Sequence, residues 1–192
     1  IYQALDEQLV RLAGLGCLMG ITAPHGMNAK SEEDGKPRVI YLEGALRERF
    51  GEGCKVICPI TDPYVVHHGA LGSYVNVHLK DPSRSAEIAE WLRSLDGVTE
   101  VLEKAEAATS LELPADRIGD LVVMSAADTV LGRSPEYHGL SQLDRPLRSH
   151  GGRFETRVPF IFSEPLNDEY TVKAEKDPRN FDVFDYVCNG IK

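Results

Sequence analysis

Two histidines are each followed by glycine in a loop-like stretch, His25 in TAPHGMN and His150 in RSHGG. Imidazole is a common ligand for zinc, and a glycine beside it lets the backbone turn sharply and approach an ion closely, so metal binding is the chemistry this pairing offers. The dipeptide recurs at His68-Gly69 and His138-Gly139, so it does not discriminate by itself. His67, His68, His78 and His138 have no carboxylate or thiol at a recognisable ligand spacing and read as surface or core imidazoles. Taken from the residues alone, His25 and His150 keep that alternative too. Glu32, Glu33 and Asp34 beside Gly35 read as a solvated loop rather than a metal cluster, and no EF-hand spacing follows. Asp62-Pro63 and Asp144-Arg145 read as turn chemistry. Gly14, Gly16 and Gly20 sit at a helix-to-strand junction, which excludes a dinucleotide fingerprint, and neither a G-x-S-x-G elbow nor a P-loop occurs.

The elements that must position these residues follow from periodicity. Leu5, Leu9, Leu12 and Ala13 recur at helical spacing before Gly14, which predicts a helix over 2–13. The continuous apolar run 15–21 predicts a strand covered on both faces, with 22–26 as the loop at its carboxyl end, the edge where ligands gather in open α/β sheets. The polar stretch 28–36 reads as an exposed loop. Alternating elements follow: strand 38–42, helix 43–50, strands 55–60 and 74–79, helix 85–95 with the stripe Ile88, Trp91, Leu92 and Leu95, strand 98–102 and helix 104–111. The pattern IGDLVVMS at 118–125 predicts a buried strand at which the main sheet resumes. Residues 129–152 read as a long loop, 158–162 as a strand, 167–180 as a polar stretch, and 181–188 as a helix packing Phe181, Phe184 and Val187.

Composition narrows the function classes. With 42% apolar residues the 192-residue chain can bury a real core, and its net charge of −9 without a basic run disfavours nucleic acid as a partner. No run reaches the roughly 18 to 20 apolar residues of a membrane helix. Cys17, Cys54, Cys58 and Cys188 form no C-x-x-C pair, so free thiols in a reducing cytoplasm are the expectation, with Cys17 buried in its apolar run. The chain starts at Ile1 with no targeting pattern, which favours a fragment of a longer product.

Three blocks, ITAPHGMNAK at 21–30, DRIGDLVVMSA at 116–126 and LRSHGGRFETRVPFIFSEPL at 147–166, resemble phosphonoacetate hydrolase of the alkaline phosphatase superfamily in both order and spacing. The resemblance runs over essentially the whole chain. It implies an α/β fold, the C-terminal part of an alkaline-phosphatase-like layered sheet domain at 1–35 and 114–192, with an inserted α/β cap subdomain at 36–113. It also implies hydrolysis of the carbon–phosphorus bond of phosphonoacetate to acetate and phosphate, with a threonine nucleophile held between two zinc ions. By that resemblance His25 binds the zinc that holds the threonine and His150 binds the other. The family's aspartate before the first histidine is Pro24 here, and proline has no donor atom to replace it.

The threonine and the other ligands are expected upstream of Ile1, so no catalytic residue is identifiable within the chain. One ligand per metal falls short of the roughly three protein ligands of a catalytic zinc site. The 192-residue chain is therefore expected to be an inactive, cytoplasmic fragment that binds zinc weakly or partially. Its expected partners are a small phosphonate and either a missing N-terminal part or a second copy, with no nucleic acid and no membrane. The alternatives are a phosphodiesterase or nucleotide pyrophosphatase of the same superfamily, and a non-catalytic relative with a degraded metal site.

Overall fold

The computed structural model describes residues 2–60, 71–141 and 143–192. In chain order the elements are α1 (Tyr2–Ala13), β1 (Gly20–Thr22), β2 (Asn28–Ala29), β3 (Val39–Tyr41), α2 (Leu42–Phe50), β4 (Cys54–Ile57), β5 (Tyr74–Leu79), α3 (Ser85–Arg93), β6 (Val98–Glu103), α4 (Lys104–Ser110), β7 (Leu121–Ser125), β8 (Val130–Gly132), β9 (Arg148–Ser149), β10 (Phe160–Phe162), α5 (Asp168–Ala174) and α6 (Val183–Asn189). They fall into two units, Gly26–Thr156 and Ile1–His25 with Arg157–Lys192. The architecture is mixed α/β, as the alternating pattern implies.

The larger unit is built on a four-stranded antiparallel sheet in the order β4-β5-β7-β6. One face packs Val56, Val75, Val77, Val101, Leu121 and Val123 against Leu42 and Leu46 of α2 and Ile88, Ala89 and Leu92 of α3. The other face packs Leu102, Val122 and Met124 against Ile118 and against Ala107 of α4. Strand β7 is therefore covered on both sides, and all five of its residues are buried. That is the physical reason its sequence is a continuous apolar run although its neighbours are antiparallel.

Position 114 does not begin a new sheet. β7 lies between β5 and β6, both inside the stretch 36–113, so the strand expected to resume the main sheet instead completes the one those residues form. The unit runs on to Thr156. Residues 129–152, expected as one long loop, carry β8, paired in parallel with β3, and β9, paired antiparallel with β2. Val130, Leu131 and Leu147 are buried there. Strands of two or three residues are too short to leave a periodic signature.

In the smaller unit β1 pairs with β10 through Gly20, Ile21 and Thr22 opposite Phe162, Ile161 and Phe160. Tyr186 of α6 is the hub of an aromatic cluster, its ring centroid 5.0 Å from Phe160 and from Tyr170 and 5.7 Å from Phe162. α6 packs closely on β1: a Cβ at Gly20 would lie 2.4 Å from Val187 Cγ2. The inward stripe of α6 is Val183 and Tyr186, whereas Phe181 and Phe184, expected inside, are 60% and 75% exposed.

Helix α1 forms where expected, with Gly14 N donating to Val10 O at its end, but it buries none of its residues. The apolar run 15–21 forms a strand only from Gly20. Leu15 and Leu18 are exposed, and so is Cys17, contrary to the buried thiol expected there. Among the described residues no helix is long and apolar enough to cross a membrane.

Candidate active site

The loop carrying His25 leaves β1 in the smaller unit. His25 is half-buried and Pro24 is exposed. Asn180 holds this loop from within the unit, its amide Nδ2 donating to Ala23 O at 3.3 Å and to Pro24 O at 3.5 Å. His150, also half-buried, follows β9 in the larger unit, and its carbonyl accepts from Ser73 N at 2.8 Å.

The two glycines after His150 have distinct physical roles. Gly151 has φ +106°, a conformation L side chains rarely adopt, and a Cβ there would lie 2.8 Å from Ile60 Cγ1. Gly152 admits the close approach of Ser73, whose Cβ would be 2.9 Å from an added Cβ. The sharp turn read from the dipeptide thus holds at His150. Gly26 is not among the positive-φ glycines, and its amide instead donates to Glu155 O at 2.7 Å.

Within the larger unit lies a polar seam. The stretch 28–36, read as an exposed loop, contains Lys30, whose side chain is fully buried and forms an ion pair with buried Glu155 at 2.8 Å. Lys30 Nζ uses all three of its protons, donating to Glu155 Oε1, to Ser73 Oγ at 2.6 Å and to Ala127 O at 2.8 Å. Glu155 Oε1 also accepts from Asn28 Nδ2 at 2.7 Å, and Oε2 accepts from Gly152 N at 2.9 Å. Ser73 Oγ passes the chain on to Thr129 O, which also accepts from Ser125 Oγ. Each charge is desolvated but fully hydrogen-bonded, the condition under which a buried pair is tolerated. The β2–β9 ladder, Asn28 opposite Ser149 and Ala29 opposite Arg148, brings the two backbone segments side by side above it.

Sequence reasoning missed Lys30 and Glu155 as a pair. The signal that could have found them is that both lie inside the blocks ITAPHGMNAK and LRSHGGRFETRVPFIFSEPL that carry the family resemblance. The remaining histidines divide differently. His138 is a core imidazole: it is 5% exposed, its Nε2 accepts from Arg133 N at 2.9 Å, and its ring stacks on Tyr41. His78 sits in β5, half-buried. His67, His68 and Asp62-Pro63 lie outside the described residues. Next to His138, Glu43 takes a fork from Arg133, with Nη2 to Oε1 at 2.7 Å, and accepts from Val56 N at 2.9 Å. Burial alone would raise this carboxyl, but the Arg133 guanidinium and the Val56 amide outweigh it and hold it below the ordinary glutamate range.

No protein-family model matches the chain. Solved structures do. Phosphonoacetate hydrolase from Sinorhizobium meliloti 1021, in complex with phosphonoformate, matches with a TM-score of 0.85 and 45% identity over 98% of this chain. The same enzyme in complex with phosphonoacetate matches with a TM-score of 0.84 and the same identity and coverage. The chain belongs to the phosphonoacetate hydrolase family. It spans 45% of the length of those relatives. Human ectonucleotide pyrophosphatase/phosphodiesterase 5 is a far weaker match, at 16% identity and a TM-score of 0.47.

The family resemblance implies a metal centre, and the described residues of this chain do not make one. Among them no group of three or more histidine, cysteine, aspartate or glutamate side chains could hold a metal ion. Pro24 supplies no donor atom beside His25, and Glu155, the carboxylate nearest in sequence to the His150 loop, has both oxygens committed to Lys30, Asn28 and Gly152.

Proposed function

We propose that the enzyme to which this sequence belongs hydrolyses phosphonoacetate, water cleaving the carbon–phosphorus bond to leave acetate and phosphate. The observation that carries the reading is 45% identity over 98% of the chain to a phosphonoacetate hydrolase solved with phosphonoacetate. The reading extends to two zinc ions in the complete enzyme, with His25 and His150 each giving one ligand. In it, residues 36–113 contribute most of a cap-like insertion, whose sheet also includes β7. The described residues alone lack a metal-ligand set, so the 192-residue chain by itself is proposed to be inactive. Four free thiols, two of them exposed, favour a reducing cytoplasm as its place of action.

The test is phosphate release from phosphonoacetate by the full-length protein, with metal content by mass spectrometry. Turnover with about two zinc ions per chain is expected. Absence of turnover in a folded, zinc-loaded protein would overturn the reading. Pro24 favours a second reading, a relative that keeps the fold without catalysis. There, Pro24→Asp in the full-length protein restores zinc binding and phosphate release, whereas an active unmodified protein removes the reading altogether.

A further inference from the structure

We propose that Lys30 and Glu155 are positioning residues of the hydrolase, a buried clamp that fixes the backbone following His25 to the backbone following His150. The proposal rests on the hydrolase reading above.

Glu155 alone joins four points of the two segments. Its carbonyl takes the amide of Gly26, the residue after His25. Its Oε1 takes Asn28 Nδ2, its Oε2 takes the amide of Gly152, two residues after His150, and Lys30 Nζ anchors the carboxylate from below. Asn28 Nδ2 reaches the Phe154 carbonyl as well, at 3.3 Å. Lys30 in turn is tied to Ser73, whose amide holds the His150 carbonyl and whose own carbonyl takes Ser125 N at the end of β7. The clamp thus refers both segments to the four-stranded sheet.

A purely stabilising element would not need this chemistry. An apolar pair of similar volume would fill the space, and replacing a buried ion pair by apolar residues is often neutral for stability. What the apolar pair cannot do is accept the Gly152 amide and the Asn28 side chain and so hold the two segments in one geometry. Small displacements of groups around a reacting centre are costly to rate, which gives a reason to retain charged residues here.

The experiment compares the complete zinc-loaded enzyme with Lys30→Met/Glu155→Met and, as a milder variant that leaves the ion pair intact, Asn28→Ala. Two readouts are taken: steady-state phosphate release, and amide hydrogen exchange at Gly26 and Gly152 against the amides of β5 and β7. In the double variant the loop amides should exchange roughly tenfold faster while the strand amides keep their protection. At the same time kcat should fall on the order of a hundredfold with KM little changed. Asn28→Ala should move both readouts in the same direction by less, and it decides the matter if the double variant fails to fold. The clamp is overturned if loop and strand amides lose protection together, if the loop amides do not respond, or if they respond while kcat holds. Should the unmodified enzyme release no phosphate, the hydrolase reading falls and the exchange arm still decides whether the clamp exists.

Discussion

Two neighbouring stretches reverse what their compositions imply. Residues 15–21 are apolar, yet Leu15 is 76% and Leu18 is 55% exposed. Residues 28–36 are polar and charged, yet Lys30 is wholly buried. Hydrophobicity describes what a segment gains by burial, and burial still needs a surface to pack against. The first stretch meets β10 only from Gly20 onward, while the second is drawn inward by a carboxylate, a hydroxyl and a carbonyl that together satisfy an ammonium group.

The largest effect expected from this contrast is that of Lys30→Met alone. It strands Glu155 as an unpaired buried carboxylate and should cost about 3 to 5 kcal/mol in urea unfolding of the larger unit. A loss near zero would mean that water reaches Glu155 and the seam is not closed. Ordinary core burial is the yardstick: Leu121→Ala, at a fully buried site in β7, should cost about 2 to 5 kcal/mol in the same measurement.

The Glu43–Arg133 fork gives a titratable comparison. Because the folded-state pKa of Glu43 is depressed, its contribution is present above the ordinary glutamate value and is lost as pH falls from there through the folded value. Urea midpoints measured from neutral pH down through the acid range should show this loss, and Glu43→Gln should flatten it. An unchanged slope in that variant would assign the pH dependence to other carboxylates.

Thiol labelling separates the two kinds of surface without touching stability. Cys17 and Cys188 are exposed, whereas Cys58 has its thiol pushed up to about 11, chiefly by burial. At mildly alkaline pH the exposed pair should react first and Cys58 last. Preferential labelling of Cys58 would contradict the packing against Leu42 and its neighbours. The smallest effect belongs to the exposed apolar stretch: Leu15→Ser and Leu18→Ser should each change unfolding free energy by no more than about 0.5 kcal/mol. A larger loss would show that the run is covered after all and would dissolve the contrast.

Long elements with strong periodicity were legible: α1, α2, α3, β5, β6 and α4 lie within a few residues of where the pattern puts them. So was the family, through three blocks whose order and spacing are more specific than any one dipeptide. The strand partners were not. Apolar runs look alike in a central antiparallel strand and in a parallel sheet, so β7 was read into the wrong sheet. The outward turn of Phe184 depended on which stripe of α6 faces Gly20, a fact held by its partner strand and not by α6 itself, and Phe181 lies in the turn before that helix. At the candidate site, the sharp turn after His150 could be named from sequence. Lys30 could not, because a lysine is scored as exposed unless its three acceptors, Glu155, Ser73 and Ala127, are already known to converge.

Lys30 and Glu155 stand 125 residues apart along the chain. Bringing them together closes most of the larger unit into a loop, and the entropy of that closure must be met before any bond of the seam forms. The sheet of β4, β5, β6 and β7 depends on contacts nearer in sequence, so it is expected to form first and the segments carrying Lys30 and Glu155 to lock onto it last. Pulse-labelled exchange would read this order directly, as protection at Gly152 appearing after that of β5 and β7. Synthesis of the chain must therefore pass Glu155 before the seam can close.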